Sequence, residues 1–195
     1  GLGDVYKRQL IENLYIELLD ALNSHFQHTP YLLGGSPCIG DFGLLAPLYG
    51  HLARDPHPAA LMKKRAPRVY RWVERMNRAS QDAQEYFDCD TDFFQKNEVP
   101  ETLIAVLRVL SQDFVPETVA SAKCLNLWLS EQNPKTGSPA VFQLGTSPLG
   151  NVEFQVRDRL IKAAVVPYRH FQLQRIHQIF DAVSYTHLRA HETLR

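Results

Sequence analysis

Apolar residues recur at helical spacing through the first part of the chain. Between Leu10 and Gln27 they stand at four-residue steps, as Leu14, Leu18, Leu22 and Phe26, with acidic residues elsewhere on the helical wheel. This pattern predicts an amphipathic helix. Gly34-Gly35 then interrupts the helix, because glycine adopts positive φ freely. From Ile39 to Leu52 apolar residues cover most of a second helical wheel, so we expect this second helix to be central and buried.

Two registers are open for the start of the second helix. In one, Cys38 is the N-cap and Asp41 returns a hydrogen bond to the Cys38 backbone, which forms a capping box with sulfur in place of the usual hydroxyl. Because sulfur is a weak acceptor, this cap is weaker than a serine cap. In the other register Ser36 is the N-cap and Pro37 occupies the first helical position. Both interpretations give Cys38, Asp41 and Ser36 a structural role and no catalytic one.

Two further helices are expected at residues 59–65 and 69–79. The second presents a predicted inner face made of Val69, Trp72, Val73 and Met76. The arginines between these positions, at 71, 75 and 78, are interpreted as a solvent-exposed face. The stretch that follows, residues 81–98, is acidic and irregular, and we expect it to be a surface loop or linker.

The last part of the chain changes pattern twice. Val99-Pro100-Glu101-Thr102 recurs as residues 115–118, and each copy places proline where a helix begins, so the pair predicts a helical hairpin. Apolar residues then alternate with polar ones at 141–144 and 152–157, which predicts a β-hairpin whose second strand continues toward Val165. A final helix is expected to open at Pro167. The predicted fold class is therefore mainly α.

The segment from Leu33 to Asp41, LGGSPCIGD, resembles the Gly-x-x-x-Ser/Thr-x-x-Asp part of the Leu-x-Gly-x-x-x-Ser/Thr-x-x-Asp motif of glutathione transferases, with cysteine in the Ser/Thr position. In that family the motif opens the core helix of the all-α C-terminal domain. Residues 66–76 resemble the helix that succeeds the core helix in bacterial members, and residues 167–175 resemble a closing segment of transferase-like proteins with extended C-termini. The resemblance implies a glutathione-transferase C-terminal helical bundle over residues 10–80, truncated at its start, and an extension over residues 99–182.

The resemblance also implies what the chain does. In the family, an N-terminal thioredoxin-like domain binds glutathione and carries the residue that activates its thiol. The C-terminal domain supplies an apolar wall for the electrophilic substrate and part of the dimer interface. We therefore expect a fragment of a glutathione transferase-like enzyme that is inactive alone, with glutathione as co-substrate of the intact parent. Its expected partners are the missing thioredoxin-like domain and a second protomer. The alternative is a non-catalytic protein-interaction module built on the same helical domain.

Both ends of the chain resemble translated sequencing adapters rather than protein sequence. Residues 1–9, GLGDVYKRQ, and residues 183–195, VSYTHLRAHETLR, fit no targeting signal. We expect an open reading frame from a truncated metagenomic read. His187 and His191 have the spacing of metal ligands on one helix face, but this interpretation assigns them to the adapter.

Composition and chemistry exclude several classes of protein. Lys+Arg and Asp+Glu both number 21, and no basic stripe favours nucleic acid or an anionic membrane. Three cysteines without a C-x-x-C pair indicate neither a disulfide framework nor a zinc site, so we expect a cytoplasmic protein without a metal. No catalytic motif is recognisable, and no catalytic or substrate-binding residue is assigned. The hydroxyls of Tyr15, Tyr49 and Tyr168 are better explained as parts of helix-edge aromatics.

Overall fold

A computed structural model describes residues 2–78, 85–95, 98–135 and 149–192 of the chain. The described part contains six α-helices, one π-helical turn and one β-hairpin, which confirms the mainly-α class. The elements are α1 Leu2–His25, α2 Ile39–Pro47, the π-helical turn Leu48–Leu52, α3 Pro56–Arg65, α4 Pro67–Asn77, α5 Glu101–Gln132, β1 Asn151–Val156, β2 Arg159–Ala164 and α6 Pro167–Glu192. The chain divides into two compact units, Gly1–Ser111 and Gln112–Arg195.

The core of the first unit forms around α1 and α4. The four residues predicted as the inner face of α4 are all buried, which confirms that prediction. Trp72 of α4 stacks on Phe26, with ring centroids 5.2 Å apart and an interplanar angle of 18°. Because an indole and a phenyl ring each remove a large apolar surface from water, this pair anchors the end of α1 on α4.

The buried stripe of α1 differs partly from the predicted one. Its buried apolar residues are Tyr15, Leu19 and Leu22, and Phe26 continues the stripe just after the helix, whereas Leu14 and Leu18 are half-buried. The reason is geometric. An α-helix has 3.6 residues per turn, so a stripe of constant four-residue steps drifts away from the core, and a mixture of three- and four-residue steps stays on it.

The second helix is not buried all round, which corrects the prediction for α2. Asp41 is its one buried residue, and Leu48 is buried in the π-helical turn that follows. The opposite side is exposed and consists of Ile39, Phe42, Gly43, Ala46, Pro47 and Gly50. We call these six residues the apolar face of α2. Their spacing of three and four residues makes a single helical stripe, and no described residue buries it.

The described part of the acidic stretch, segment 85–95, packs back on the turn between α1 and α2. The Gly35 N–H donates to the Asp92 carbonyl at 2.9 Å, and the Phe94 N–H donates to the Leu33 carbonyl at 2.9 Å. The crossing is so close that a Cβ on Gly35 would lie 1.6 Å from the Asp90 carbonyl oxygen. Gly34 has a φ of 122°. Both glycines are therefore required here, one for backbone conformation and one for space.

A single helix, α5, replaces the predicted helical hairpin. Pro100 does precede the helix, and its carbonyl accepts the N–H groups of Leu103 and Ile104 at 2.9 and 3.1 Å. Pro116, however, lies inside the continuous helix Glu101–Gln132. The hairpin prediction is wrong because the residues between the two copies, 103–114, contain no glycine or asparagine to reverse the chain. An interior proline removes one backbone hydrogen bond, at a cost of roughly 3 kcal/mol.

In the second unit, β1 and β2 form an antiparallel hairpin in which Val156 pairs with Arg159. Arg157 adopts a φ of 56° in the two-residue turn, as a tight hairpin turn requires. The chain thus reverses here and does not continue as one strand toward Val165, which corrects the predicted pairing. Residues 141–144, predicted as the first strand, lie outside the described residues. The final helix opens at Pro167, as predicted.

Candidate functional site

The carboxylate of Asp41 lies at the centre of the first unit and is fully buried. Its Oδ1 accepts the backbone N–H of Leu32 at 3.1 Å and the indole Nε1–H of Trp72 at 3.0 Å. Its Oδ2 accepts the backbone N–H of Cys38 at 2.9 Å. Three donors from three segments therefore converge on one carboxylate. Such a group is held in place and shielded from solvent.

Cys38 is the N-cap of α2, with an extended backbone at φ −109° and ψ 173°. Its sulfur faces the Asp41 backbone N–H in the position that a Ser or Thr oxygen takes in a capping box, but sulfur accepts weakly. Burial raises the pKa of the Cys38 thiol, and its hydrogen bond to the Asp41 carboxylate acts in the same direction. Cys38 is consequently a protonated thiol at neutral pH, which is unsuited to nucleophilic attack.

Ser36, the N-cap of the alternative register, has another partner. Its hydroxyl donates to the Thr91 carbonyl of segment 85–95. The three residues singled out from the sequence thus lie at one end of α2 but do different things: Asp41 joins the turn, α2 and α4, Cys38 caps α2, and Ser36 holds segment 85–95.

The tyrosine hydroxyls are also engaged. Tyr15 donates to the Pro58 carbonyl at 3.0 Å, and burial raises the pKa of Tyr15 to about 12, so its hydroxyl stays protonated. The hydroxyl of Tyr49 accepts a hydrogen bond from Arg54, and that of Tyr168 accepts one from Gln172. These contacts give each of the three hydroxyls a partner within the chain.

Arg75 departs from the sequence interpretation of a solvent-exposed arginine face, because its side chain is only 6% exposed. It donates to Glu85 Oε1 at 2.8 Å and to the Pro30 carbonyl at 2.6 Å, and it lies over the rings of Tyr31 and Tyr86 at 5.1 and 5.6 Å. Such a guanidinium can be buried because a carboxylate, a carbonyl and two π-faces replace its water. No signal in the sequence paired it with Glu85, ten residues away.

Glu85 binds a second arginine as well. Its Oε2 lies 2.5 Å from a terminal nitrogen of Arg71, which is 66% exposed and so does fit the predicted solvent-exposed face. The Tyr86 hydroxyl, next along the chain, donates to the Phe26 carbonyl. Segment 85–95 is thereby attached at its start to α4 and to the end of α1. This attachment positions the segment across the N-terminal end of α2, beside Leu33 and Gly35.

The apolar face of α2 lies near this end and is not covered by any of the described residues. Ile39 is 91% exposed and Phe42 is 58% exposed. A Cβ placed on Gly43 would meet nothing within 4 Å. Exposed apolar stripes of this kind mark surfaces that bind another protein segment or an apolar ligand. The site is therefore an apolar wall beside a rigid, polar-bonded helix start.

In the second unit, a small cavity of about 30 Å³ is lined by Thr118 and Ser121 of α5 and by Val166, Arg169 and His170. It has room for about one water molecule. An open groove between α5 and β1 is lined mainly by apolar residues such as Val119 and Phe154. No group of three or more His, Cys, Asp or Glu side chains placed to hold a metal ion occurs in the part of the chain described above.

No described helix is both long enough and apolar enough to cross a membrane. His187 and His191 lie on α6, but their side chains are outside the described part of the structure.

Comparison with known proteins supports the assignment of the helical domain. Residues 7–75 match the family model described as "Glutathione S-transferase, C-terminal domain", which is about a third of the chain. No curated protein and no solved structure matches the chain. The matched range covers α1 from Lys7 onward, α2, α3 and nearly all of α4, and so includes Asp41 with all three of its donors. Residues 7–75 therefore form a helical domain that is similar to the C-terminal domain of glutathione S-transferases.

Proposed function

We propose that this helical domain walls the electrophilic-substrate site of a glutathione transferase-like enzyme. The observation that carries the proposal is the apolar face of α2, where Ile39 is 91% and Phe42 58% exposed. It lies beside a helix start at which the buried Asp41 carboxylate accepts three N–H groups of the domain. A surface of this kind can hold an apolar electrophile or pack on a second domain. It cannot by itself lower the pKa of a thiol, which requires a nearby donor or positive charge.

Glutathione and the thiol-activating residue would accordingly come from a thioredoxin-like domain in polypeptide outside this sequence. The described residues contain one two-stranded sheet, whereas a thioredoxin-like domain needs a larger one. We propose glutathione as co-substrate of the intact parent, a cytoplasmic location, and a dimer as its assembly. The chain alone is proposed to be inactive, as a fragment whose residues 1–9 and 183–195 derive from adapter sequence.

The test begins with recovery of the parent gene on both sides of this reading frame. The complete protein is then expressed and assayed for conjugation of glutathione to a generic aryl halide. If α2 walls the site, Phe42→Ala raises KM for the aryl halide several-fold and changes KM for glutathione by less than twofold. Phe87→Ala is the matched control, because Phe87 is 91% exposed and lies on segment 85–95. A complete protein that contains a folded thioredoxin-like domain but conjugates none of a panel of electrophiles would refute the proposal.

A non-catalytic interaction module is the second candidate. It is favoured by the exposure of Ile39 and Phe42 on the apolar face of α2, because exposed apolar surfaces of this kind also mark sites where proteins bind one another. In that case the apolar face of α2 is a docking surface for another protein. An upstream sequence without a thioredoxin-like domain, together with no turnover of any electrophile, would establish this second function and remove the first.

A further inference from the structure

His25, the last residue of α1, is 1% exposed. Its Nε2 lies 3.0 Å from the Leu32 carbonyl and 3.4 Å from the Thr29 hydroxyl, and its Nδ1 lies 2.9 Å from the Thr102 hydroxyl in the first turn of α5. One imidazole thus joins the end of α1, the turn that follows it and the start of α5. The proposed transferase function makes no use of this cluster.

The geometry assigns the tautomer. A carbonyl oxygen can only accept, so Nε2 carries the hydrogen that points toward Leu32. Nδ1 is then the acceptor, and the Thr102 hydroxyl donates to it. The Thr29 hydroxyl donates to the Tyr31 carbonyl at 3.1 Å. Every hydrogen-bonding group of the neutral imidazole is therefore satisfied, and the neutral form is the one that this site binds.

The start of α5 is held to the first unit by few side chains. Between Glu101 and Ser111 the buried apolar residues are Leu103 and Val106, with 4% and 1% of their surface exposed. The described residues give this stretch one side-chain hydrogen bond to another element, the bond between Thr102 and His25. A segment with so few attachments opens locally at a lower free energy than a core helix does.

We propose that His25 is a pH-sensitive latch, and that its protonation in mildly acidic solution releases the first two turns of α5 while the rest of the first unit stays folded. A proton taken from solvent by Nδ1 would place a donor against the Thr102 hydroxyl, which then must rotate and stop donating. It would also place a positive charge where water has almost no access. Detachment of α5 relieves both costs, because it lets water reach Nδ1.

Two titratable groups face His25. The carboxylate of Asp41, on α2, favours the protonated form, and His28, just beyond α1, opposes it. The attraction to Asp41 is weakened because three N–H donors already neutralise that carboxylate. The other neighbours of His25 carry no charge. They are the carbonyls of Tyr31 and Leu32, the hydroxyls of Thr29 and Thr102, and the ring of Phe26 at 5.6 Å.

The sign of the pH dependence follows from burial. Burial lowers the pKa of His25 below its ordinary value of 6.5, so the closed form stays neutral at a pH where the detached form already binds a proton. The contribution of the latch to stability is then complete above about pH 6.5 and is lost as the pH falls. One histidine can shift the opening equilibrium by at most about tenfold for each pH unit.

Hydrogen exchange on the full chain, read by mass spectrometry and corrected for the intrinsic pH dependence of exchange, tests the latch. Between pH 7.5 and 5, protection of residues 101–110 should fall by up to about tenfold per unit below pH 6.5, whereas protection of α4 should not change. His25→Gln should abolish the pH dependence. His51→Gln is the matched control, because His51 is an exposed histidine on the π-helical turn, and it should leave the dependence in place.

Thr102→Val keeps the test decisive if His25→Gln does not fold. It retains the titrating imidazole but removes the hydroxyl, so protection of residues 101–110 should already be lower at pH 7.5 and should still decrease with acid. The proposal is overturned if wild-type protection of 101–110 is independent of pH, if it falls in step with that of α4, or if Thr102→Val leaves it unchanged.

Discussion

Replacing Asp41 by alanine should destabilise the helical domain more than any other single change near α2. Alanine removes the acceptor of three N–H groups, from Leu32, Cys38 and Trp72, at 3.1, 2.9 and 3.0 Å. Each buried donor without a partner costs roughly 1–3 kcal/mol. Loss of the buried charge recovers part of its desolvation penalty. We therefore expect a net loss of about 3–4 kcal/mol, a large share of the 5–15 kcal/mol that is typical of a domain.

Asp41→Asn separates charge from hydrogen bonding. The asparagine oxygen, placed at Oδ1, can still accept from Leu32 and Trp72, but its amide nitrogen then faces the Cys38 N–H, donor against donor. One bond is lost and one repulsion is added, so the expected cost is about 1–3 kcal/mol. The ordering of the two variants, alanine worse than asparagine, follows directly from which oxygen accepts which donor.

Asp20→Asn is the matched control for the chemical change. Asp20 is an exposed carboxylate whose oxygens lie 2.7 and 2.8 Å from the guanidinium of Arg65, and such surface pairs contribute less than about 1 kcal/mol. Urea unfolding followed by circular dichroism at ~222 nm, the helical band, gives the free energy of unfolding of all three variants. If Asp41→Ala loses no more stability than Asp20→Asn, or if Asp41→Asn costs as much as Asp41→Ala, the carboxylate is not the structural centre described above.

Three further changes test the start and the apolar face of α2. Cys38→Ser should raise Tm by about 2–6 °C in thermal melting, because an oxygen is a better N-cap acceptor, worth about 0.5–1 kcal/mol. Gly35→Ala should destabilise the chain by about 1–3 kcal/mol in urea unfolding and make segment 85–95 sensitive to proteases, because the new Cβ would lie 1.6 Å from the Asp90 carbonyl oxygen. Phe42→Asp should reduce self-association of the isolated chain in sedimentation velocity, because an aspartate interrupts the apolar face of α2.

Each of these three predictions can be contradicted by a specific result. An unchanged or lower Tm for Cys38→Ser would favour Ser36 as the N-cap. Gly43→Ala is the control for Gly35→Ala, because a Cβ at Gly43 meets nothing within 4 Å and alanine favours a helix by up to about 1 kcal/mol. Equal destabilisation by the two substitutions would rule out the close backbone contact between Gly35 and Asp90. A chain that sediments as a monomer before any substitution would show that the apolar face of α2 drives no association.

Much of the helical domain follows from the sequence alone. The helical periods, the glycine pair and the prolines are local signals, and they predicted the inner face of α4, the start of α6 and the resemblance that the family match supports. An ambiguous local signal led to the wrong prediction of a helical hairpin. The proline of the second Val-Pro-Glu-Thr copy starts no helix, because proline is compatible with a first turn but also, at a cost, with the interior of α5.

Only tertiary structure could decide what each side chain meets. Asp41 reads as a local capping residue, yet two of its three donors, Leu32 and Trp72, come from other segments. From the sequence, Arg75 is interpreted as a surface charge, but in the structure Glu85 and two tyrosine rings cover it. In α2, apolar residues occur around most of the helix, so the sequence does not show which side is left without a partner. The physical reason is that the periodicity of a sequence shows only which residues prefer to leave water. Packing between distant segments decides whether a charged group meets the partners that allow its burial and whether an apolar stripe is covered or stays exposed.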